Sequence, residues 1–141
     1  MKKLVLVFGA LVILFSGCSI KREVKPVGKE IDKEVCIIED TSVRQGFLQT
    51  YEQTLEQMGY KVKIIAQGSD KSACKTTSTY MGKWSWDLAI YLSYARINVY
   101  QDGELIGTAL YDSRGGDARI FDKFGEGEEM IKSLVEELYK K

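Results

Sequence analysis

The sequence predicts one α+β domain in the order β-α-β-β-β-β-α, a mainly antiparallel sheet with two helices packed on one of its faces. Three observations lead there. Val43, Phe47, Leu48, Tyr51, Leu55 and Met58 recur at helical spacing, as do Ile131, Leu134, Val135 and Leu138. Between these stretches run several apolar segments of extended character. Asp102-Gly103 separates two of them and suits a two-residue type I′ hairpin, whose central residues both need positive φ.

Each element has its own signal. Val35–Glu39 (VCIIE) is a short apolar run suited to a buried strand. Ser42 and Gln45 have the spacing of a capping box, so the first helix is expected from Ser42, with Gly59 as its stop. Tyr60, Val62 and Ile64 alternate with Lys61 and Lys63, the pattern of a half-buried strand. A polar loop, 67–77, precedes a third strand over Thr79–Trp86, where Tyr80, Trp84 and Trp86 share a face. Trp84 and Trp86 are read as core residues. A long strand, Leu88–Gln101, pairs through the Asp102-Gly103 turn with Glu104–Tyr111. A strict two-residue turn sets Val99 opposite Ile106, Ile97 opposite Thr108 and Ala95 opposite Leu110, and these form the core face. On the other face Tyr94 meets Tyr111, Arg96 meets Ala109, Asn98 meets Gly107 and Tyr100 meets Leu105. After the Gly-rich stretch 112–127, a last helix is expected over Glu128–Lys140.

The domain is expected to span 35–141, because the chain before it reads differently. Residues 1–17 have a positive start at Lys2 and Lys3, twelve apolar or small residues from Leu4 to Phe15, and then Ser16-Gly17 before Cys18. That is the layout of a secretory signal peptide, and the apolar run is shorter than the ~20 residues a bilayer span needs. Residues 18–34 follow, with Ser19–Glu34 (SIKREVKPVGKEIDKE) rich in charge and holding the single proline. Such a segment buries too little surface to fold by itself and reads as a tether.

Leu14–Cys18 (LFSGC) resembles a bacterial lipoprotein lipobox, with Phe15 where leucine is commonest. The resemblance implies a diacylglycerol and acyl (palmitate-class) anchor on Cys18 and removal of residues 1–17. Acyl chains contribute ~0.8 kcal/mol per buried methylene, so two or three anchor stably. By the same resemblance, Ser19 after the cysteine implies the outer membrane, with the domain facing the periplasm.

Export bears on the other two cysteines. Cys36 and Cys74 are an even pair in an oxidising compartment, and a disulfide is expected. Closing the chain between them stabilises by roughly 4 kcal/mol on the chain-entropy account. The pair lacks C-x-x-C spacing for redox work and falls short of a zinc ligand set.

Composition removes several function classes. Lys+Arg and Asp+Glu both total 20, so no positive field holds nucleic acid. Histidine is absent, which removes His-based triads and His-ligated metals. Ser42, Ser85 and Ser113 lack a G-x-S-x-G setting, and Ser113-Arg114-Gly115-Gly116 lacks the phosphate-loop pattern. No metal and no cofactor are expected.

The strings VRQGFLQTYEQTLEQMGYKVKII and YMGKWSWDLAIYLSYARINVY, with the strand after them, resemble small periplasmic domains of the TolB amino-terminal and curli-secretion lipoprotein type, and other Gram-negative envelope lipoproteins. The resemblance implies an envelope adaptor or assembly module that binds another envelope protein or itself. Tyr94, Arg96, Tyr100 and Tyr111 are its expected partner surface, since the hairpin register sets them opposite the aliphatic face, and Tyr and Arg are enriched at binding hot spots. The alternative is a glycan-binding or glycan-cleaving protein acting on peptidoglycan through Asp87 and Asp112, with Asp117 nearby; paired carboxylates are what glycoside hydrolysis requires. The adaptor reading leads, with no enzymatic activity.

Overall fold

A computed structural model describes residues 20–87, 89–114 and 127–141. It holds β1 (Lys21–Lys25), β2 (Glu34–Ile38), α1 (Gln45–Gln57), β3 (Lys61–Ile65), β4 (Thr76–Asp87), β5 (Ala89–Gln101), β6 (Glu104–Asp112) and α2 (Gly127–Leu138). One six-stranded sheet runs β1-β6-β5-β4-β2-β3. The α+β class and the expected order of the seven elements are both present. The sheet is mixed: β2 pairs in parallel with β3 and β4, whereas β4-β5, β5-β6 and β6-β1 are antiparallel.

The parallel part follows from the β2-α1-β3 order, because a helical crossover returns the chain in the same direction. Both helices cover one face. Phe47 of α1 stacks on Tyr80 of β4, and Leu138 of α2 lies against Gly107 of β6. Their buried residues join Val35, Ile37, Ala95, Ile97, Val99 and Ala109 in one core.

The helix start differs from the capping-box expectation. Asp40 Oδ1 accepts from the Ser42 amide (2.9 Å) and hydroxyl (2.6 Å), so Ser42 is spent in a turn before the helix. Arg44 is the N-cap and makes no side-chain cap bond. Local side-chain bonding has competed with helix initiation. The stop is as expected, with Gly59 at φ 91°.

The segment read as tether contains β1, so the domain begins well before residue 35. Lys21–Lys25 cannot fold alone, but it completes the ladder along the free side of β6, Arg22 opposite Tyr111 and Val24 opposite Ala109. Arg22 also bridges to Glu137 (2.7 Å) and Ser133 (2.9 Å) of α2. Lys21, Glu23 and Lys25 share the face away from the helices while Arg22 and Val24 turn toward them, a division that composition alone conceals. Cys18 and residues 1–17 lie outside the described residues.

The Asp102-Gly103 turn forms as expected, with φ of 50° and 82°. The register beyond it departs by one residue. Tyr100 pairs with Leu105, yet Val99 pairs with Gly107, leaving Ile106 as a bulge. A one-residue slip turns every later side chain to the other face. Val99, Ile97 and Ala95 therefore meet Gly107, Ala109 and Tyr111, not Ile106, Thr108 and Leu110. Gly107 permits the close approach: a Cβ there would sit 2.7 Å from a Val27 methyl and 3.1 Å from Leu138. A second bulge falls between β4 and β5, where Lys83 pairs with Tyr94 and Trp84 with Leu92, leaving Ser93 unpaired in the ladder. Ser93 is buried there, bonded to the Lys83 carbonyl (3.1 Å) and to the Ser85 hydroxyl (2.8 Å).

Candidate functional site

The face without helices is the candidate surface. Strand alternation and the observed register set its rows. One row runs Met81, Arg96, Leu110, Glu23; the next runs Lys83, Tyr94, Asp112, Lys21. A third runs Cys36, Thr77, Tyr100, Leu105. Of the predicted surface residues, Tyr94, Arg96 and Tyr100 lie here and Tyr111 does not. The Ile106 bulge turns Tyr111 into the core beside Ala95, where it is 7% exposed.

The disulfide shapes one end of this face. Cys36 is bonded to Cys74 as expected. Val35 and Ile37 enter the core, so Cys36 projects to the opposite side and draws the β3-β4 loop across it. That loop is held further by the Lys75 carbonyl, which accepts from the Asp102 amide at 2.9 Å. It places Lys71 Nζ 4.9 Å from the centre of the Tyr100 ring. Tyr100 is thus half-buried under a cation, a contact worth about 0.5–1 kcal/mol at such sites.

At the other end Arg114 stacks 4.5 Å over the Tyr94 ring and grips Asp112 with two bonds, Nε to Oδ1 at 2.9 Å and a terminal nitrogen to Oδ2 at 2.8 Å. These bonds pull the Asp112 carboxyl down to about 2. A general acid needs the opposite shift, so Asp112 stays ionised at neutral pH. Asp87 closes β4 opposite Ala89, whereas Asp112 is opposite Tyr94. At ~3.3 Å per residue this separates their backbones by on the order of 15 Å. Asp117, Gly115 and Gly116 lie outside the described residues. Ser113 is buried, and its amide and hydroxyl both donate to the Ser93 carbonyl (3.0 and 3.3 Å), so it is occupied in the fold.

With Tyr94 and Tyr100 each covered by a cation, the open middle of the face is the row of Met81 and Arg96. Met81 is 46% exposed, and Arg96 is exposed with no ion pair or hydrogen bond among the described residues. Glu23, in the same row, meets only Lys25 among the described residues, at 3.7 Å, both well exposed. Sequence reasoning missed Met81 and Glu23. Alternation from Tyr80 signals Met81, but Glu23 was hidden in the segment taken for tether. Trp84 packs against Phe47 and takes Arg44 on its ring at 5.6 Å, as a core-edge residue. Trp86 departs from the core assignment. It is 73% exposed near the end of the β4-β5 hairpin, because that hairpin runs past the helices.

The fold has solved counterparts. Two PelC dodecamer structures from Paraburkholderia phytofirmans are similar to it, one of them a single-substitution variant. The variant shares 11% identity at a TM-score of 0.53, covering 85% of this chain and 95% of that one. The other shares 12% at a TM-score of 0.50, covering 83% and 92%. At such identity the likeness concerns the fold alone. No protein-family model and no curated protein matches the sequence.

Proposed function

We propose that this chain is an outer-membrane lipoprotein, anchored through Cys18, whose periplasmic domain is a non-enzymatic assembly module that joins further copies of itself through the open sheet face. The observation that carries the reading is the one-sided sheet: both helices pack on one face, and the middle of the other leaves Met81 and Arg96 uncovered. Arg96 has no acidic partner among the described residues and Glu23 lies in its row, so Arg96 of one copy has an acidic counterpart on the next. Self-association follows the pattern of the similar PelC structures, which are dodecamers. The expected anchor follows from the lipobox resemblance of Leu14–Cys18.

Native mass spectrometry of the full chain in detergent tests the assembly. Discrete oligomers are expected, and Arg96→Glu should lower their stability by at least about tenfold, with Glu23→Arg restoring part of it. A monomer at all concentrations, or oligomers indifferent to Arg96→Glu, overturns the reading. A photo-crosslinker belongs at position 81, since 94 and 100 sit beneath Arg114 and Lys71 and 96 carries the proposed contact. Palmitate labelling that persists in Cys18→Ser would remove the anchor.

A further inference from the structure

A cavity of about 400 Å³ opens between the β1-β2 connection and the end of α2. Its volume falls in the range of small-molecule sites, roughly 300–1,000 Å³. The floor is aromatic: the Tyr60 and Tyr139 rings meet edge-to-face at 5.5 Å. The Tyr139 hydroxyl turns inward to Tyr51 at 2.7 Å, so its ring offers carbon to the cavity. Val27 and Ile31 add aliphatic wall.

The rim has the opposite character. Lys29, Lys140 and Lys141 line it, and among the described residues Glu30 is the single lining carboxylate side chain. Lysines favour a helix carboxyl end, which accounts for Lys140 and Lys141. It does not account for Lys29, which arrives from the β1-β2 connection and has no ion pair among the described residues. The cavity is also pre-formed. The Val27 amide donates to the Leu138 carbonyl at 2.9 Å, and the Lys61 amide to the Lys33 carbonyl at 2.6 Å, so both ends of the connection are tied to the domain.

We propose that this cavity binds a small anionic ligand with an apolar body, a carboxylate or phosphate carried on a ring or short acyl group. The ring or chain rests on Tyr60, Tyr139 and Ile31, and the anion meets Lys29 and Lys140. Charge-assisted bonds of this kind are the strong ones where water is partly excluded. Occupancy would tie the chain near β1 to the last helix, independently of the open sheet face.

The test is a backbone amide titration of the full chain in uncharged phosphatidylcholine nanodiscs. The probes are 2-naphthoate and phenyl phosphate, with 2-naphthol as the uncharged control. Saturable shifts are expected at Gly28, Ile31 and Tyr139, with 2-naphthol at least about tenfold weaker than 2-naphthoate. The tighter anion names the headgroup class. Lys29→Glu with Lys140→Glu should weaken 2-naphthoate about tenfold or more and leave 2-naphthol unchanged. Both residues are exposed, so folding is retained. Equal binding of acid and alcohol, no saturation, or shifts centred on Trp86 and Ile90 would overturn the proposal.

Discussion

The hydroxyls of Tyr139, Tyr51 and Ser78 form a buried line whose direction is set by its last member. The Asn98 carbonyl accepts from Ser78 at 2.9 Å. With its proton committed there, Ser78 accepts from Tyr51 (2.6 Å), and Tyr51 accepts from Tyr139 (2.7 Å). Tyr51→Phe removes both middle bonds and strands the Tyr139 hydroxyl at 2% exposure, so it should cost about 2 kcal/mol. Tyr139→Phe leaves Tyr51 donating to Ser78 and should cost only about 1 kcal/mol. The double variant removes the stranded group with its partner, so its cost should stay near about 2 kcal/mol and not reach the sum. Urea unfolding with the disulfide intact reads this directly. With a slope of roughly 1–3 kcal/mol per molar, the Tyr51→Phe midpoint should fall by about 1 M. Strict additivity, or a Tyr139→Phe loss larger than that of Tyr51→Phe, would refute the directed line.

Two other outcomes follow from the same framework. Replacing Cys36 and Cys74 together by alanine should lower stability by about 2–4 kcal/mol and raise protease sensitivity within 66–75, because the disulfide holds that loop across the sheet; unchanged cleavage would show the loop held without it. Burial pushes the Tyr51 and Tyr139 phenols well above the ordinary range, and Tyr80 upward to a lesser degree. Folded and unfolded states bind equal tyrosine protons below about pH 10, so this contribution is intact there. Above about pH 10 the unfolded chain loses protons that the folded one keeps, and stability falls as pH rises. Phenolate absorbance should therefore show Tyr51 and Tyr139 ionising only with loss of circular dichroism. Reversible titration of all eight tyrosines with the fold intact would contradict that.

Much of the fold is legible because local periodicity and burial agree. The α1 residues Phe47, Leu48, Tyr51 and Leu55 are buried as their spacing requires, as are Ile131, Leu134, Val135 and Leu138 of α2. The candidate surface was legible only in part. Arg96 and Tyr100 hold their predicted face because they precede or adjoin the bulge without depending on it. Tyr111 does depend on it, and one unpaired residue at Ile106 carries it into the core. Gly107 inside the strand is a local mark of a bulge, but not of which residue is left unpaired. The bulge arises where Gly107 must admit Val27 and Leu138, residues far away in sequence.

By itself the sequence determined the α+β class, both helical faces, the positive-φ hairpin at Asp102-Gly103 and the Cys36–Cys74 pairing. All of these follow from residue chemistry acting over a few positions, or from cysteine counting. Tertiary structure alone decided that the charged segment Lys21–Lys25 is a strand, that β4 pairs with β2 on the side away from β3, and which tyrosines face outward. Those outcomes depend on hydrogen-bonding edges and close contacts supplied by other parts of the chain. A strand edge such as that of β6 satisfies a segment's backbone groups whatever its composition, provided its side chains alternate between core and solvent.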